Sequence, residues 1–391
     1  NLLRVQILSY RQELDLKKGI LLRTILFRDK EQRETEFQTR RLVHMADPHL
    51  AAQEFTLIPK NWSGRLEIVS ALDGRVVNAG VERYRQLKSK HLDPLEAHVL
   101  DERILSLIVQ TNQSRLRVAE CARTKFFQDE EPVLAEARAV EEPGYVAQRF
   151  FLEVAHDRPL RAEKMVSLFT SRDPAISEPA LEAKKAVLEA GGFQELLESH
   201  ALAWKHLWRR FDVELVRNNH KEEDRTEMIL NLYMFHVLQT ISIQTTMDMD
   251  LDVGVPARGW HGEAYRGHIL WDELFVFPLF NLRLPQITNE LLLYRYRRLE
   301  EAQKAARSCG WRGAMYPWQS GSNGREESQK IHLNPRSGRW IPDNSQFQRH
   351  VNSAIVYNAW QYYQVTCDRG FLYNFGAKMI LEVARFWASK A

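Results

Sequence analysis

Thr56-Leu57-Ile58-Pro59-Lys60-Asn61-Trp62-Ser63-Gly64-Arg65-Leu66-Glu67-Ile68-Val69-Ser70 is the stretch on which the reading of the fold turns. Apolar and polar positions alternate on both flanks, the period of a half-buried β-strand. Between the flanks, Asn61-Trp62-Ser63-Gly64 is a turn signal. Working outward, Leu72-Asp73-Gly74 and Asn78-Ala79-Gly80 mark further tight turns, where glycine tolerates a positive φ. Residues 104–110, 116–119 and 145–154 repeat the strand pattern. Many short strands, polar turns and no intervening amphipathic helix predict an antiparallel β-sandwich.

Beyond it the period changes. Residues 178–198 are rich in Ala, Leu, Glu and Lys, with apolar positions at helical spacing. Trp204 and Trp208 follow at an i,i+4 separation, so both rings share one helix face. Core packing is the plain reading of that pair, and a sugar platform is the other. Residues 229–241, 291–307, 352–366 and 371–389 continue as apolar helices, joined by loops rich in Gly, Pro, Trp and charge. Helix pairs arranged as an α/α barrel would bring those loops to one mouth. The chain therefore reads as an α+β multidomain protein. Residues 1–172 form an N-terminal antiparallel β-sandwich, 173–224 a helical linker, and 225–391 the N-terminal part of an (α/α)6-type barrel.

Composition narrows the function. At 391 residues the chain is long enough for about two or three domains with a sizeable core. The 54 basic and 51 acidic residues leave a net charge of +3, without the clustered basic surface of a nucleic-acid binder. The three cysteines, Cys121, Cys309 and Cys367, fit neither a disulfide framework nor a metal spacing, which favours a reducing, cytoplasmic setting. No stretch approaches the roughly 18 consecutive apolar residues of a membrane span.

The chemistry concentrates in Arg258-Gly259-Trp260-His261-Gly262-Glu263-Ala264-Tyr265-Arg266-Gly267-His268-Ile269-Leu270-Trp271-Asp272-Glu273. Aromatic rings can stack on the C–H faces of a pyranose while carboxylates take its hydroxyls, and glycines let the backbone come close. A second run of the same character is Tyr316-Pro317-Trp318-Gln319-Ser320-Gly321-Ser322-Asn323-Gly324-Arg325-Glu326-Glu327. The plain reading of Trp271-Asp272-Glu273 is a helix start whose carboxylates face the macrodipole. A metal held by His261, Glu263, His268 and Asp272 competes, but the His-Glu-x-x-His spacing is missing. Trp318 beside two glycines is a sugar platform or a packed lid. Glu326 and Glu327 read as a general acid or base, or as a solvated face. About thirty further residues, through Arg349-His350-Val351-Asn352, form one decorated loop of the kind that is usually functional. No Gly-x-Ser-x-Gly elbow or Gly-x-Gly-x-x-Gly signature is present.

These residues resemble glycoside hydrolase family 65, the trehalose, maltose and kojibiose phosphorylases and their hydrolytic relatives. The resemblance rests on residues 259–272, Tyr294-Arg295-Tyr296-Arg297-Arg298-Leu299, residues 310–320, Asn352-Ser353-Ala354-Ile355 and Ala384-Arg385-Phe386-Trp387. Pro59-Lys60-Asn61-Trp62-Ser63-Gly64 and Leu72-Asp73-Gly74-Arg75 carry it into the N-terminal part. It implies that Trp271 and Asp272 hold glucose in the −1 subsite, and that Trp318, Gln319 and Asn352 face the +1 sugar. Many relatives have Trp-Glu where this chain has Trp318-Gln319, which leaves the acceptor open. The family's general acid is a glutamate downstream of the Arg-Phe-Trp segment, and the chain stops at Ala391. The resemblance therefore implies no catalytic residue in this chain, an incomplete barrel and an inactive isolated chain.

The implied function is part of an inverting enzyme that cleaves an α-linked glucose disaccharide by phosphorolysis, giving β-glucose 1-phosphate. An inverting hydrolase of the same family, or a non-catalytic carbohydrate-binding or structural fragment, is the alternative. No cofactor and no metal are implied; inorganic phosphate would be a co-substrate. The expected partners are a disaccharide or oligosaccharide, the missing C-terminal segment of the same enzyme, and a second copy in a homodimer. Neither nucleic acid nor membrane is expected.

Overall fold

A computed structural model describes residues 5–100, 104–215, 225–242, 252–260 and 262–391. The chain divides into two compact units, Asn1–Val77 with Lys90–Asp212, and Asn78–Ser89 with Val213–Ala391.

The first unit holds twelve strands among the described residues: β1 (Gln6–Asp15), β2 (Ile20–Arg28), β3 (Glu34–Val43), β4 (Leu50–Pro59), β5 (Gly64–Asp73), β6 (Leu92–Leu100), β7 (Ile104–Thr111), β8 (Arg117–Gln128), β9 (Glu131–Val133), β10 (Glu136–Glu142), β11 (Tyr145–Val154) and β12 (Leu160–Thr170). A large sheet runs β1-β2-β3-β4-β12-β8-β7-β6, with β9 on β8, and a small one runs β10-β11-β5. All pairings are antiparallel.

The turn signal at Asn61 does more than reverse the chain. β4 lies in the large sheet and β5 in the small one, so residues 60–63 carry the chain from sheet to sheet. Asn61 fixes that corner: its Oδ1 accepts Glu34 N–H at 2.7 Å and its Nδ2 donates to Gln32 O at 2.9 Å. Trp62 Nε1 donates to Thr35 Oγ1 at 3.0 Å. Alternation along β7 shows why both layers are needed. Leu105, Leu107 and Val109 pack with Leu72 and Val146 of the small sheet. Ile104 instead packs with Ala183, Val187 and Phe193 of the following helices. A strand covered on both faces must be apolar at both parities.

The segment expected as a linker is two helices, α1 (Pro179–Glu189) and α2 (Phe193–Phe211), fused to this core within the same unit. Residues 178–198 do not form one helix, because Gly192 is extended (ψ 168°) and caps α2. Trp204 is 1% exposed, and Trp208 Nε1 donates to Leu16 O at 2.8 Å, so the pair serves packing. A Cβ at Gly19 would sit 2.0 Å from Trp204 Nε1, at a φ of 64°.

The second unit contains α3 (Thr226–Thr240), α4 (Glu273–Arg283), α5 (Pro285–Arg297), α6 (Leu299–Ser308), α7 (His350–Thr366), α8 (Arg369–Phe371), a π turn (Leu372–Gly376) and α9 (Ala377–Lys390). Their core gathers Leu299, Ala302, Tyr316, Val351, Ile355 and Val383. The apolar run 291–307 is broken at Arg298, whose guanidinium turns back onto Asp252, Tyr294 O and Ser322 O. The long decorated loop is not bare. It folds a small hairpin, β13 (Ile331–Leu333) with β14 (Trp340–Pro342), too short to announce itself by alternation. No helix among the described residues is long and apolar enough to cross a membrane.

Candidate functional site

Two loops of the second unit carry the aromatic and carboxylate residues, and they are bonded to each other directly. Ile269 N donates to Ser320 O and Ser320 N to Ile269 O, both at 2.9 Å. That reciprocal pair is an antiparallel bridge, and it fixes the register of Trp271-Asp272 against Trp318-Gln319.

The C-terminal turn of α5 holds both loops from beneath. Arg295 Nη2 donates to Leu270 O at 2.6 Å and pairs with Glu273 Oε2 at 3.0 Å. Tyr294 Oη donates to Ser320 Oγ at 2.8 Å and lies 2.7 Å from Gly321 O, while Arg298 Nη2 donates to Ser322 O at 2.7 Å. The basic and aromatic pattern of residues 294–298 is therefore a clamp, a role that the sequence alone did not disclose.

Adjacent carboxylates meet opposite environments. Glu273 is 2% exposed and faces Arg295, with Val255 N donating to its Oε1 at 3.3 Å. Burial pushes its carboxyl above the usual range, and Arg295 pulls it back. Asp272 stands at the N-terminus of α4, yet its side chain makes no capping bond. Its carboxylate is half-buried and is not used by the helix it begins.

Trp271 and Trp318 rest on the core around Tyr316 and Ile355, their ring centroids 6.5 Å apart. His350 meets both rings edge-on, at 5.1 Å and 4.9 Å. The three rings form one aromatic cluster, the floor of the candidate site, in which Trp271 and Trp318 are half-buried. Glu326 braces the floor: its oxygens accept Trp318 N at 2.8 Å and Gln319 N at 3.1 Å. It is a loop cap, and neither a free acid nor a merely solvated charge. Gln319 is 9% exposed, and its Nε2 donates to His268 Nδ1 at 2.8 Å.

That bond requires a neutral His268 with its proton on Nε2. Burial, and then nearby Arg266, lower the His268 pKa to about 4. Between pH 4 and 6.5 the unfolded chain binds the extra proton, so stability rises with pH there and falls as acid is added. His268 is only half-buried, so screening trims the effect to about 1–2 kcal/mol. Urea unfolding of His268→Gln between these pH values should show a correspondingly shallower acid slope. A slope equal to that of the unmodified protein would remove His268 from the titrating set.

The geometry bears on one expected site residue and on the competing metal reading. Asn352 is 0% exposed, and its Oδ1 accepts Tyr316 N at 2.7 Å while its Nδ2 donates to Arg349 O at 2.9 Å. Both ends of the amide are committed to backbone, so it lies behind the floor and does not present a group to a sugar. For the metal reading, His261 lies outside the described residues. Glu263 accepts Gly80 N at 2.8 Å, and His268 is engaged by Gln319. Among the described residues, no three His, Cys, Asp or Glu side chains are grouped to hold a metal. The sequence reading also missed Tyr84, whose hydroxyl accepts Tyr265 N at 2.9 Å. Its only sequence signal was the turn at residues 78–80.

Comparison with known proteins agrees with this architecture. The glycosyl hydrolase family 65 N-terminal domain matches residues 1–207, and the central catalytic domain of the same family matches residues 231–391. An uncharacterized glycosyl hydrolase of Mycobacterium tuberculosis is 45% identical over 387 residues, 99% of this chain and 28% of that protein. Kojibiose phosphorylase of Halothermothrix orenii is 30% identical over 405 residues, 100% of this chain and 49% of the relative. Trehalose 6-phosphate phosphorylase of Lactococcus lactis is 34% identical over 337 residues, 85% of this chain and 41% of the relative. A solved kojibiose phosphorylase candidate from the human microbiome shares the fold at a TM-score of 0.78 and 19% identity, over 99% of this chain and 47% of that one. The chain spans half or less of the length of each of these proteins.

Proposed function

We propose a function from one premise: the chain belongs to glycosyl hydrolase family 65. It forms the substrate-gripping part of an inverting enzyme that cleaves an α-linked glucose disaccharide by phosphorolysis. The observation that carries this reading is the aromatic floor of Trp271, Trp318 and His350, with the uncapped Asp272 carboxylate beside it. Trp271 shapes the glucosyl pocket, and Asp272 takes ring hydroxyls and favours the distorted, oxocarbenium-like sugar. Trp318 and Gln319 meet the acceptor sugar. Asn352 contributes indirectly, by holding Tyr316 under the floor. Helices α3 to α9 are read as part of the family's (α/α)6 barrel.

Cleavage then needs an acid to protonate the glycosidic oxygen and a nucleophile on the opposite face. Phosphate can attack directly, so no protein base is required. In the family pattern the acid is a glutamate downstream of the Arg-Phe-Trp segment, a region of the relatives that this chain does not span. The relatives' names, kojibiose phosphorylase and trehalose 6-phosphate phosphorylase, support phosphorolysis over hydrolysis.

The test is to incubate the full-length protein with trehalose, trehalose 6-phosphate, kojibiose, nigerose and maltose, with and without phosphate. Phosphate-dependent release of β-glucose 1-phosphate is the expected result. Glucose released equally without phosphate would replace phosphorylase by hydrolase, and no cleavage of any of them would overturn the reading. Trp318→Ala or Gln319→Glu is expected to change the ratio of kcat/KM between two disaccharides by about ten-fold, the scale of one or two lost sugar contacts. A flat substrate profile in both variants would remove the pair from the acceptor side.

A further inference from the structure

Residues 78–89 lie between β5 and β6 in the chain, yet they belong to the second unit. The segment is closed on itself, with Asn78 N donating to Ser89 O at 2.9 Å, and it carries a single 3-10 turn, Glu82–Tyr84. Two hydrogen bonds tie it to the site loop. Gly80 N donates to Glu263 Oε2 at 2.8 Å, and Tyr265 N donates to Tyr84 Oη at 2.9 Å. Arg83 Nη2 donates to the same phenol oxygen at 2.8 Å. Its guanidinium lies over both tyrosine rings, 4.9 Å from Tyr84 and 5.0 Å from Tyr265.

The loop so gripped is an unusual one. Tyr265 and Arg266 have φ of 62° and 55°, a left-handed pair that non-glycine residues adopt only when neighbours hold them there. The contacts made just beyond the turn depend on it. Arg266 Nη2 donates to Glu327 O at 2.6 Å, next to the Glu326 carboxylate that caps Trp318 and Gln319. His268 then accepts from the Gln319 side chain. Gln319 is thus aimed through two links, and both begin at the turn that Tyr84 holds.

We propose that Tyr84 is a positioning residue for acceptor-sugar selection: its hydroxyl holds the Tyr265–Arg266 turn, and the turn sets the direction of Gln319. This rests on the acceptor role given to Gln319 above. Substitutions at Tyr84 therefore alter which acceptor is preferred without touching the group that breaks the bond.

The full-length protein tests it, as Tyr84→Phe, which removes only the hydroxyl, and as Glu263→Ala, which releases the other tether. Each is assayed in the synthetic direction with β-glucose 1-phosphate and a panel of acceptor sugars, alongside hydrogen exchange at residues 263–268 and 319. The expected result is a five- to ten-fold rise in KM for the preferred acceptor relative to the others, the scale of about one hydrogen bond, with kcat and the melting temperature nearly unchanged. Exchange at 263–268 should accelerate by a similar factor. Unchanged exchange and unchanged acceptor KM in both variants would overturn the proposal. An equal loss of kcat on all acceptors with KM unmoved would also overturn it, since that is a general structural defect. If the unmodified protein has no activity on any sugar, the functional reading fails. Faster exchange at 263–268 together with residue 319 would then still uphold the positioning link, and its absence would end that too.

Discussion

Glu273→Ala is expected to destabilise the second unit by about 3–5 kcal/mol, the cost of leaving one partner of a buried ion pair alone. Arg295 is 1% exposed, so its charge would lose its counter-ion without gaining water. The damage should also reach the site, since the same guanidinium holds Leu270 O immediately before Trp271. Replacing both partners with apolar residues of similar volume, Glu273→Leu with Arg295→Met, should recover much of the loss. Urea unfolding of the singles and the double makes the comparison. A single-variant cost below about 1 kcal/mol, the range of exposed pairs, would refute the buried-pair account.

Asp272→Ala is expected to do the reverse, sparing stability and removing activity. If the side chain served the helix, its loss would cost about 0.5–2 kcal/mol. The structure gives it no capping bond, so thermal unfolding should be nearly unchanged. In the full-length protein kcat should fall about 10²- to 10³-fold, as when one preorganised group that acts on the transition state is removed, while KM changes little. Asp272→Asn should lie between, retaining a hydroxyl partner without the charge. A variant with normal kcat would take Asp272 out of the glucosyl pocket. These consecutive carboxylates, one buried against Arg295 and one half-buried without a capping bond, differ only in which side of the first helical turn they face.

Strand existence in the first unit was legible because its signals are local: residues 65–70 alternate, and residues 104–110 are a short, nearly continuous apolar run. Membership of one sheet or the other was not, since Asn61 looks the same at a hairpin and at a corner. What separates the cases is its bonding to Glu34 and Gln32, far away in the chain. The helices 179–211 were visible, but their union with the sheets was hidden: their apolar faces say that something covers them, never what. In the candidate site, the composition of 258–273 and 316–327 singled out two loops that the fold bonds to each other. The burial of Asn352 was not legible, because a buried amide bonded to backbone and an amide facing a ligand have one letter in common. Tyr294, Arg295 and Arg298 were carried only as part of a family resemblance; their clamp exists only after α5 is placed against both loops.

Residues 78–89 also order events in time. Gly80 leaves the ribosome 183 residues before Glu263, its partner. At a synthesis rate of roughly 5–20 residues per second, the segment waits about 10–40 seconds for the loop that receives it. The strands on either side can pair during that interval, so the arm is presented by a folded base before the floor exists. Cutting the gene at residue 212 would break this sequence and would deprive the helical part of a piece of itself. A productive dissection of this protein must carry the arm across, grafted onto the later segment, or keep the chain whole.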